Sequence, residues 1–196
     1  MFTLVNMSTR ASIGRAAKKL FARQGAQAVT MRSVARRVGI SPTAIYRHYR
    51  NKDALLDELI RTGFEVLEAY LHPGLAEATP ELRLRGMLRR YLDFGLEQGH
   101  FAVLMFQTPR PKLRRFPEDF RQRRSVVFAR FADEVEACMR DGSFRRDDVL
   151  EVTLSLWAQV HGLMSLHRLG RFGDDELRFR GIYERALERT LRGLRA

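Results

Sequence analysis

An all-α protein of about nine helices is what this sequence predicts, on three observations. Apolar residues return every three or four positions along nearly every segment, the spacing of one helical face. Ser, Thr, Asp or Asn stands ahead of most of these runs and Gly or Pro behind them, the usual start and stop residues of helices. No stretch alternates as a half-buried strand would, and the chain has neither an internal repeat nor a low-complexity tract. At 196 residues and 45% hydrophobic, it is long and apolar enough for one or two small domains with a buried core.

Residues 1–8, with a second methionine at Met7, read as a disordered leader that lacks the basic and apolar regions of a signal peptide. Ile13, Ala16, Ala17, Leu20 and Phe21 then form the apolar stripe of a first helix, with Thr9 as its N-cap and Gly25 just past its end. Thr30 caps a short second helix whose stripe is Met31, Val34, Ala35 and Val38, and Gly39-Ile40 makes a tight turn. Ser41 caps a third helix with Pro42 at its first position, where a missing N–H costs nothing. Ile45 and Tyr49 face inward from it. Asn51 caps a long fourth helix carrying Leu55, Leu56, Leu59, Ile60, Phe64, Leu67 and Leu71, and His72-Pro73-Gly74 ends that helix as a module boundary.

In the second half, Leu84, Met87, Leu88, Tyr91 and Leu92 mark a helix that stops near Gly99. A short apolar piece from Phe101 to Phe106 runs into the breaker Thr108-Pro109-Arg110-Pro111. Phe120, Val127, Phe128, Phe131, Val135 and Cys138 mark a further helix, stopped near Asp141-Gly142. Asp147-Asp148 caps one carrying Leu154, Leu156, Trp157, Val160 and Leu163 to about Leu169. After a turn from Gly170 to Gly173, a last helix from Asp174 carries Leu177, Ile182, Ala186, Leu187, Leu191 and Leu194.

Charge divides the chain more sharply than periodicity does. Lys and Arg number 35 against 23 Asp and Glu, a net +12. Eleven basic residues and no acidic one precede Asp53, so +11 of that surplus lies there, and the other 144 residues hold 24 basic and 23 acidic groups. A generic basic surface would not segregate in this way; a module built for a polyanion, either nucleic acid or a membrane surface, would. A membrane-surface helix needs one strongly amphipathic segment, whereas this charge spans three capped helices. No apolar run approaches the ~18–20 residues of a membrane span. The lone Cys138 excludes an intramolecular disulfide and a Cys-based zinc finger, and its place beside Phe131 and Val135 makes it a core thiol. No Gly-rich phosphate loop, Ser-centred elbow or HExxH spacing is present, and His48, His72, His100, His161 and His167 are scattered without an i,i+4 pair. No catalytic residue, metal site or cofactor is expected, and the chain is not read as an enzyme.

Two short helices joined by a Gly-containing turn inside a basic module match a helix-turn-helix, although the same pattern describes an ordinary αα-turn. Val34, Ala35 and Val38 pack the first helix down, Ile45 and Tyr49 anchor the second, and Pro42, Thr43, Tyr46 and Arg47 are left to face a groove.

Over residues 9–60 the chain resembles the N-terminal domain of the tetracycline-repressor (TetR) family of transcriptional regulators. The resemblance rests on Thr9-Arg10, on Leu20-Phe21-Ala22 with Gly25, and on the run from Thr30 to Ser41. It continues through Thr43-Ala44-Ile45-Tyr46-Arg47-His48-Tyr49-Arg50-Asn51-Lys52 into Asp53-Ala54-Leu55-Leu56. It implies a ligand-responsive regulator, most simply a repressor. Such a protein binds a palindromic double-stranded DNA operator as a homodimer and is released by a small-molecule inducer in a C-terminal pocket. It would be cytoplasmic, on the nucleoid when bound. The plan so implied is a helix-turn-helix domain over 9–53, a connecting helix over 54–72, and a ligand-binding and dimerisation domain over 73–196.

By the same resemblance Tyr46 and Lys52 hold backbone phosphates, joined by His48 and by the hydroxyls of Thr30 and Ser41. Base reading falls to Arg32, Pro42, Thr43 and Arg47. An Arg suits guanine bidentately, and the Thr43 methyl and Pro42 ring suit a thymine methyl. A solvated helix face is the alternative for each Arg. In the second half, the aromatic residues serve either as core or as pocket lining. Phe101, Met105, Phe120, Phe128, Phe131, Trp157 and His161 are the candidates for an inducer pocket. Trp157…His161-Gly162 resembles a Trp…His-Gly signature of one C-terminal subfamily, with His161 either a polar pocket group or a hydrogen-bonded interface histidine. Arg110, Lys112, Arg114, Arg115, Arg121, Arg123 and Arg124 either guide an anionic ligand or form a solvated face. The last two helices are apolar on more than one side, as core alone or as a dimer interface.

Overall fold

The computed structural model describes residues 2–107 and 114–196, with side chains from Thr9 onward. The expected breaker over 108–111, with Arg110 and Lys112, lies outside the described residues. Ten α-helices and one 3-10 turn follow one another among the described residues. They fall into two compact units, Met1–Val66 with Gln98–Pro109 and Leu67–Glu97 with Arg110–Ala196.

The first unit begins with α1 (Phe2–Ala28), which bends at Gly25, where φ is 72°. No Gly or Pro interrupts residues 2–13, so the helix bounds reach back through the stretch expected as a leader and Thr9 lies inside the helix rather than capping it. α2 (Met31–Val38), α3 (Pro42–Ile45) and α4 (Lys52–Leu71, as far as Val66) complete the basic end. Ile13, Ala17 and Phe21 are buried with Val34, Ala35, Ile45, Tyr49, Leu55 and Leu59. The short apolar piece expected in the second module is α6 (Gly99–Phe106), and it belongs here. Its Phe101 ring lies 4.9 Å from that of Phe21. Phe101 and Met105 close over Gly63 of α4, where an added Cβ would stand 2.5 Å from the Met105 sulfur. An apolar spacing says that such a helix is buried; it does not say against which partner.

The second unit holds the end of α4, a 3-10 turn over His72–Ala76, α5 (Pro80–Glu97), α7 (Glu118–Arg121), α8 (Val126–Asp141), α9 (Val149–Arg168) and α10 (Glu176–Leu194). The single helix expected from Phe120 to Cys138 is two, because Arg123 takes a left-handed φ of 56° between α7 and α8. Asp148 caps α9, accepting from the Leu150 and Glu151 amides at 2.8 and 2.9 Å. Asp175 caps α10 one residue later than expected, accepting from the Arg178 amide at 3.0 Å. The inward stripe of α10 is Phe179, Tyr183, Leu187 and Leu191, each 0% exposed. Leu177, expected on that stripe, is 82% exposed, two residues ahead of the first buried position. Cys138 is buried, and burial pushes its thiol up to about 12. No helix among the described residues is long and apolar enough to cross a membrane.

Candidate nucleic-acid interface

Local chemistry sets the turn between α2 and α3. The Thr30 hydroxyl oxygen accepts from the Ser33 amide at 3.0 Å, and the Ser33 hydroxyl oxygen accepts from the Thr30 amide at 3.0 Å. This is a reciprocal capping box that satisfies two amides otherwise left without a helical partner. α2 ends at Gly39, whose φ of 77° is the left-handed conformation that favours glycine, and the Ile40 amide donates back to the Ala35 carbonyl at 3.1 Å. Ser41 then caps α3, accepting from the Ala44 amide at 3.1 Å, with Pro42 next. Amide bonds from Arg47 to Ala44 and from His48 and Tyr49 to Ile45 carry α3 on for one more turn. Asn51 caps α4 through the Ala54 amide at 2.9 Å.

That turn sorts its side chains by face. Ile45 and Tyr49 point inward at 0% and 2% exposure. Pro42, Thr43 and Arg47 are exposed, and so is Tyr46, at 54%. Arg32, Thr30 and Ser41 are exposed as well, and His48 and Lys52 are half-buried. All four residues expected to read bases and all five expected to hold phosphates therefore keep contact with solvent. The Thr30 hydroxyl already donates to the Ser33 hydroxyl at 3.0 Å, so a phosphate would compete with that bond.

The electrostatics of this face are one-sided. Among the described residues of the first unit the ion pairs are Arg10 with Glu58 and Arg61 with Glu65. Arg23, Arg32, Arg36, Arg37, Arg47, Arg50 and Lys52 enter none of the ion pairs of the described residues. Exposed cations without counter-charges present a positive field to a polyanion.

Behind the face, the buried Tyr49 hydroxyl donates to Glu58 at 2.7 Å, and the Arg10 guanidinium stands 4.8 Å from the centre of the Tyr49 ring. Burial first, and the neighbouring Glu58 second, push the Tyr49 phenol far above its ordinary range. The spacing makes Tyr49 a core residue but says nothing of this bond. The signal was a hydroxyl on an inward-facing ring, which needs a partner when buried.

The seven candidates for the inducer pocket fall into separate groups. Phe101 and Met105 are buried in the first unit against Phe21 and Gly63. In the second unit Phe120 packs edge-on to Phe128 at 4.7 Å, and Phe131 is buried. Trp157 stacks on His161 at 4.9 Å, and His161 Nδ1 is 2.8 Å from the hydroxyl of buried Tyr91. Burial, and then the nearby Arg168, hold the His161 imidazole below its ordinary range, so the neutral ring is favoured. A cavity of about 470 Å³ in this unit is lined by Glu68, Ala69, His72, Pro73, Leu75 and Arg130, none of them among the seven.

Comparison with known proteins bears on both ends of the chain. Residues 13–59 match the model of bacterial regulatory proteins of the tetR family, and residues 84–191 match that of the tetracyclin repressor-like C-terminal domain. The chain belongs to the TetR family. Among curated relatives of this TetR-family chain, the HTH-type transcriptional repressor KstR2 of Mycolicibacterium smegmatis is 28% identical over 143 residues, 71% of this chain and 69% of that one. The nucleoid occlusion factor SlmA of Sodalis glossinidius is 27% identical over 177 residues, 86% and 84% of the two chains. A protein of unknown function from Rhodococcus sp. RHA1 shares the fold at a TM-score of 0.79 and 22% identity, covering 96% of each chain. The TetR-family chain is thus a DNA-binding transcriptional regulator of all-α fold and not an enzyme.

Proposed function

We propose that this TetR-family regulator is a repressor that binds a palindromic operator as a homodimer and is released by a small-molecule inducer held in the second unit. The observation that carries the reading is the outer side of α2, the turn and α3. There Pro42, Thr43, Tyr46 and Arg47 stand exposed while Ile45 and Tyr49 are buried, and the arginines of this face enter none of the ion pairs of the described residues. Arg32, Pro42, Thr43 and Arg47 read base edges, and Thr30, Ser41, Tyr46, His48 and Lys52 hold phosphates. A module this small reads too few bases alone, and a two-fold dimer doubles the site. Leu166, Leu169 and Leu177, at 44%, 72% and 82% exposure, supply apolar surface for that dimer near the junction of α9 and α10. The name of KstR2 supports repression as the sign of control. The inducer acts by binding the released state more tightly, shifting α4 and respacing the two recognition helices. The regulator works in the cytoplasm, on the nucleoid when bound.

Selection of binding sites from a random duplex library, followed by footprinting upstream of the protein's own gene, tests this reading. The expected result is an inverted repeat protected by a dimer, with transcription rising when the gene is deleted. Enrichment of no sequence would overturn it. Binding at sites scattered over the chromosome with no change in neighbouring transcripts would favour a role like that named for SlmA.

A further inference from the structure

The buried side of the recognition helix carries a polar bridge that the DNA-facing residues do not explain. Tyr49 follows α3 by one turn and is 2% exposed. Its hydroxyl donates to Glu58 Oε2 of α4 at 2.7 Å, and Arg10 of α1 reaches the same oxygen at 3.4 Å while its guanidinium stands over the Tyr49 ring. α1, α4 and the segment that follows α3 meet at one carboxylate oxygen. α1 leaves room for it at Gly14, where an added Cβ would lie 2.7 Å from Glu58 Oε1 and 3.8 Å from the Tyr49 hydroxyl.

We propose that Tyr49, Glu58 and Arg10 are positioning residues for sequence-specific DNA binding: the bridge sets the angle at which α3 presents Pro42, Thr43 and Arg47. The inference rests on the operator reading above. The apolar contacts of Ile45 hold α3 against the unit but leave it able to roll, because hydrophobic packing is not directional. A hydrogen bond to an ionised acceptor is short and directional, so it removes that freedom. Bidentate base contacts tolerate little error in angle, whereas contacts to phosphates tolerate more. Loss of the bridge therefore costs sequence discrimination before it costs general affinity.

The test uses the full-length protein, a duplex that the wild type has enriched from a random library, and a scrambled duplex of equal length at the same salt concentration. Tyr49→Phe keeps the ring and removes only the hydroxyl. Its affinity for the enriched duplex should fall about tenfold, the size of one charge-assisted hydrogen bond, with the scrambled duplex unaffected. Gly14→Ala leaves all three residues unsubstituted but crowds Glu58 Oε1, and should reproduce that loss. Glu58→Gln keeps an acceptor for the hydroxyl and should retain most of the discrimination, whereas Glu58→Leu should not. Far-UV circular dichroism identifies any variant that fails to fold. The inference is overturned if Tyr49→Phe and Gly14→Ala keep the wild-type ratio of the two affinities, or if both duplexes weaken equally, the mark of a merely structural role. If the wild type itself enriches no sequence, the operator reading falls and takes this inference with it.

Discussion

In the first unit Arg32, Arg36, Arg37, Arg47 and Arg50 stand exposed and enter none of the ion pairs of the described residues, whereas in the second unit every arginine of α5 is bound to an acidic side chain. Arg83 meets Glu134 at 2.9 Å, Arg85 meets Glu188 at 2.6 Å, Arg89 grips both oxygens of Glu184 at 2.9 Å, and Arg90 meets Asp93 at 3.3 Å. Arg180 of α10 likewise holds Asp93 at 2.7 Å. Arg83–Glu134, Arg85–Glu188 and Arg180–Asp93 are part-buried pairs, whereas Arg89–Glu184 is more exposed and of the kind that contributes only ~0–1 kcal/mol. Each such pair cancels charge locally, and with 24 basic against 23 acidic groups from Asp53 onward the net positive charge is left to the residues before it. Residue type alone does not separate the arginines of α2 and α3 from those of α5; the presence or absence of an ion pair does.

The largest expected effect tests the division into units on which that contrast depends. Phe101→Ala removes an aromatic ring packed on Phe21 and should destabilise the first unit by about 3–5 kcal/mol in urea unfolding. Loss of DNA binding with the second unit still folded is the expected pattern; a change confined to the second unit would sink the assignment of α6. Next, Arg47→Ala should cost about 1–3 kcal/mol on the preferred duplex and relax one base position in a repeated selection. Lys52→Ala should instead weaken all sequences and flatten the slope of log affinity against log salt by about one. If Arg47→Ala merely flattened that slope, its base-reading role would be wrong.

Smaller effects belong to the paired arginines. Arg89→Ala should change stability by less than about 1 kcal/mol and leave DNA affinity unaltered at moderate salt, since its partner pair is largely exposed. The smallest effect comes from His161. Its imidazole is held below the ordinary range, so the unfolded chain takes up the proton first. The stability it contributes is complete above the unfolded value of about 6.5 and is lost as pH falls below it. The curve of Tm against pH between 7 and 5 should therefore slope downward on acidification, and His161→Gln should flatten it. An unchanged slope would remove His161 from the account.

The exposed positions of the candidate interface were legible because their determinants are local. Each cap, from Thr30, Ser41, Asn51 and Asp148, closes a bond within three residues, and the left-handed turn at Gly39 lies between two of them. Their exposure followed from the inward pair Ile45 and Tyr49 at a spacing of four. The bridge behind them was not legible, because Glu58 is nine residues from Tyr49 and Arg10 is 48 from Glu58. The candidate pocket residues show the same limit from the other side. An aromatic at helical spacing packs on a partner that the spacing does not name: Phe101 joined the first unit, Phe120 paired with Phe128, and Trp157 stacked on His161.

By itself, then, the sequence determined most of the helices, the caps at Thr30, Ser41, Asn51 and Asp148, the helix-turn-helix and the confinement of +11 of the charge to the residues before Asp53. All of these arise from periodicity and from bonds between near neighbours. Only the tertiary structure decided that α6 packs with α1 and α4, that Phe179 rather than Leu177 starts the inward face of α10, and which arginines are neutralised. Arg85 and Glu188 are 103 residues apart and Arg89 and Glu184 are 95. A helical face has no partner until another helix is laid against it, and that choice is made by shape and charge across the whole chain.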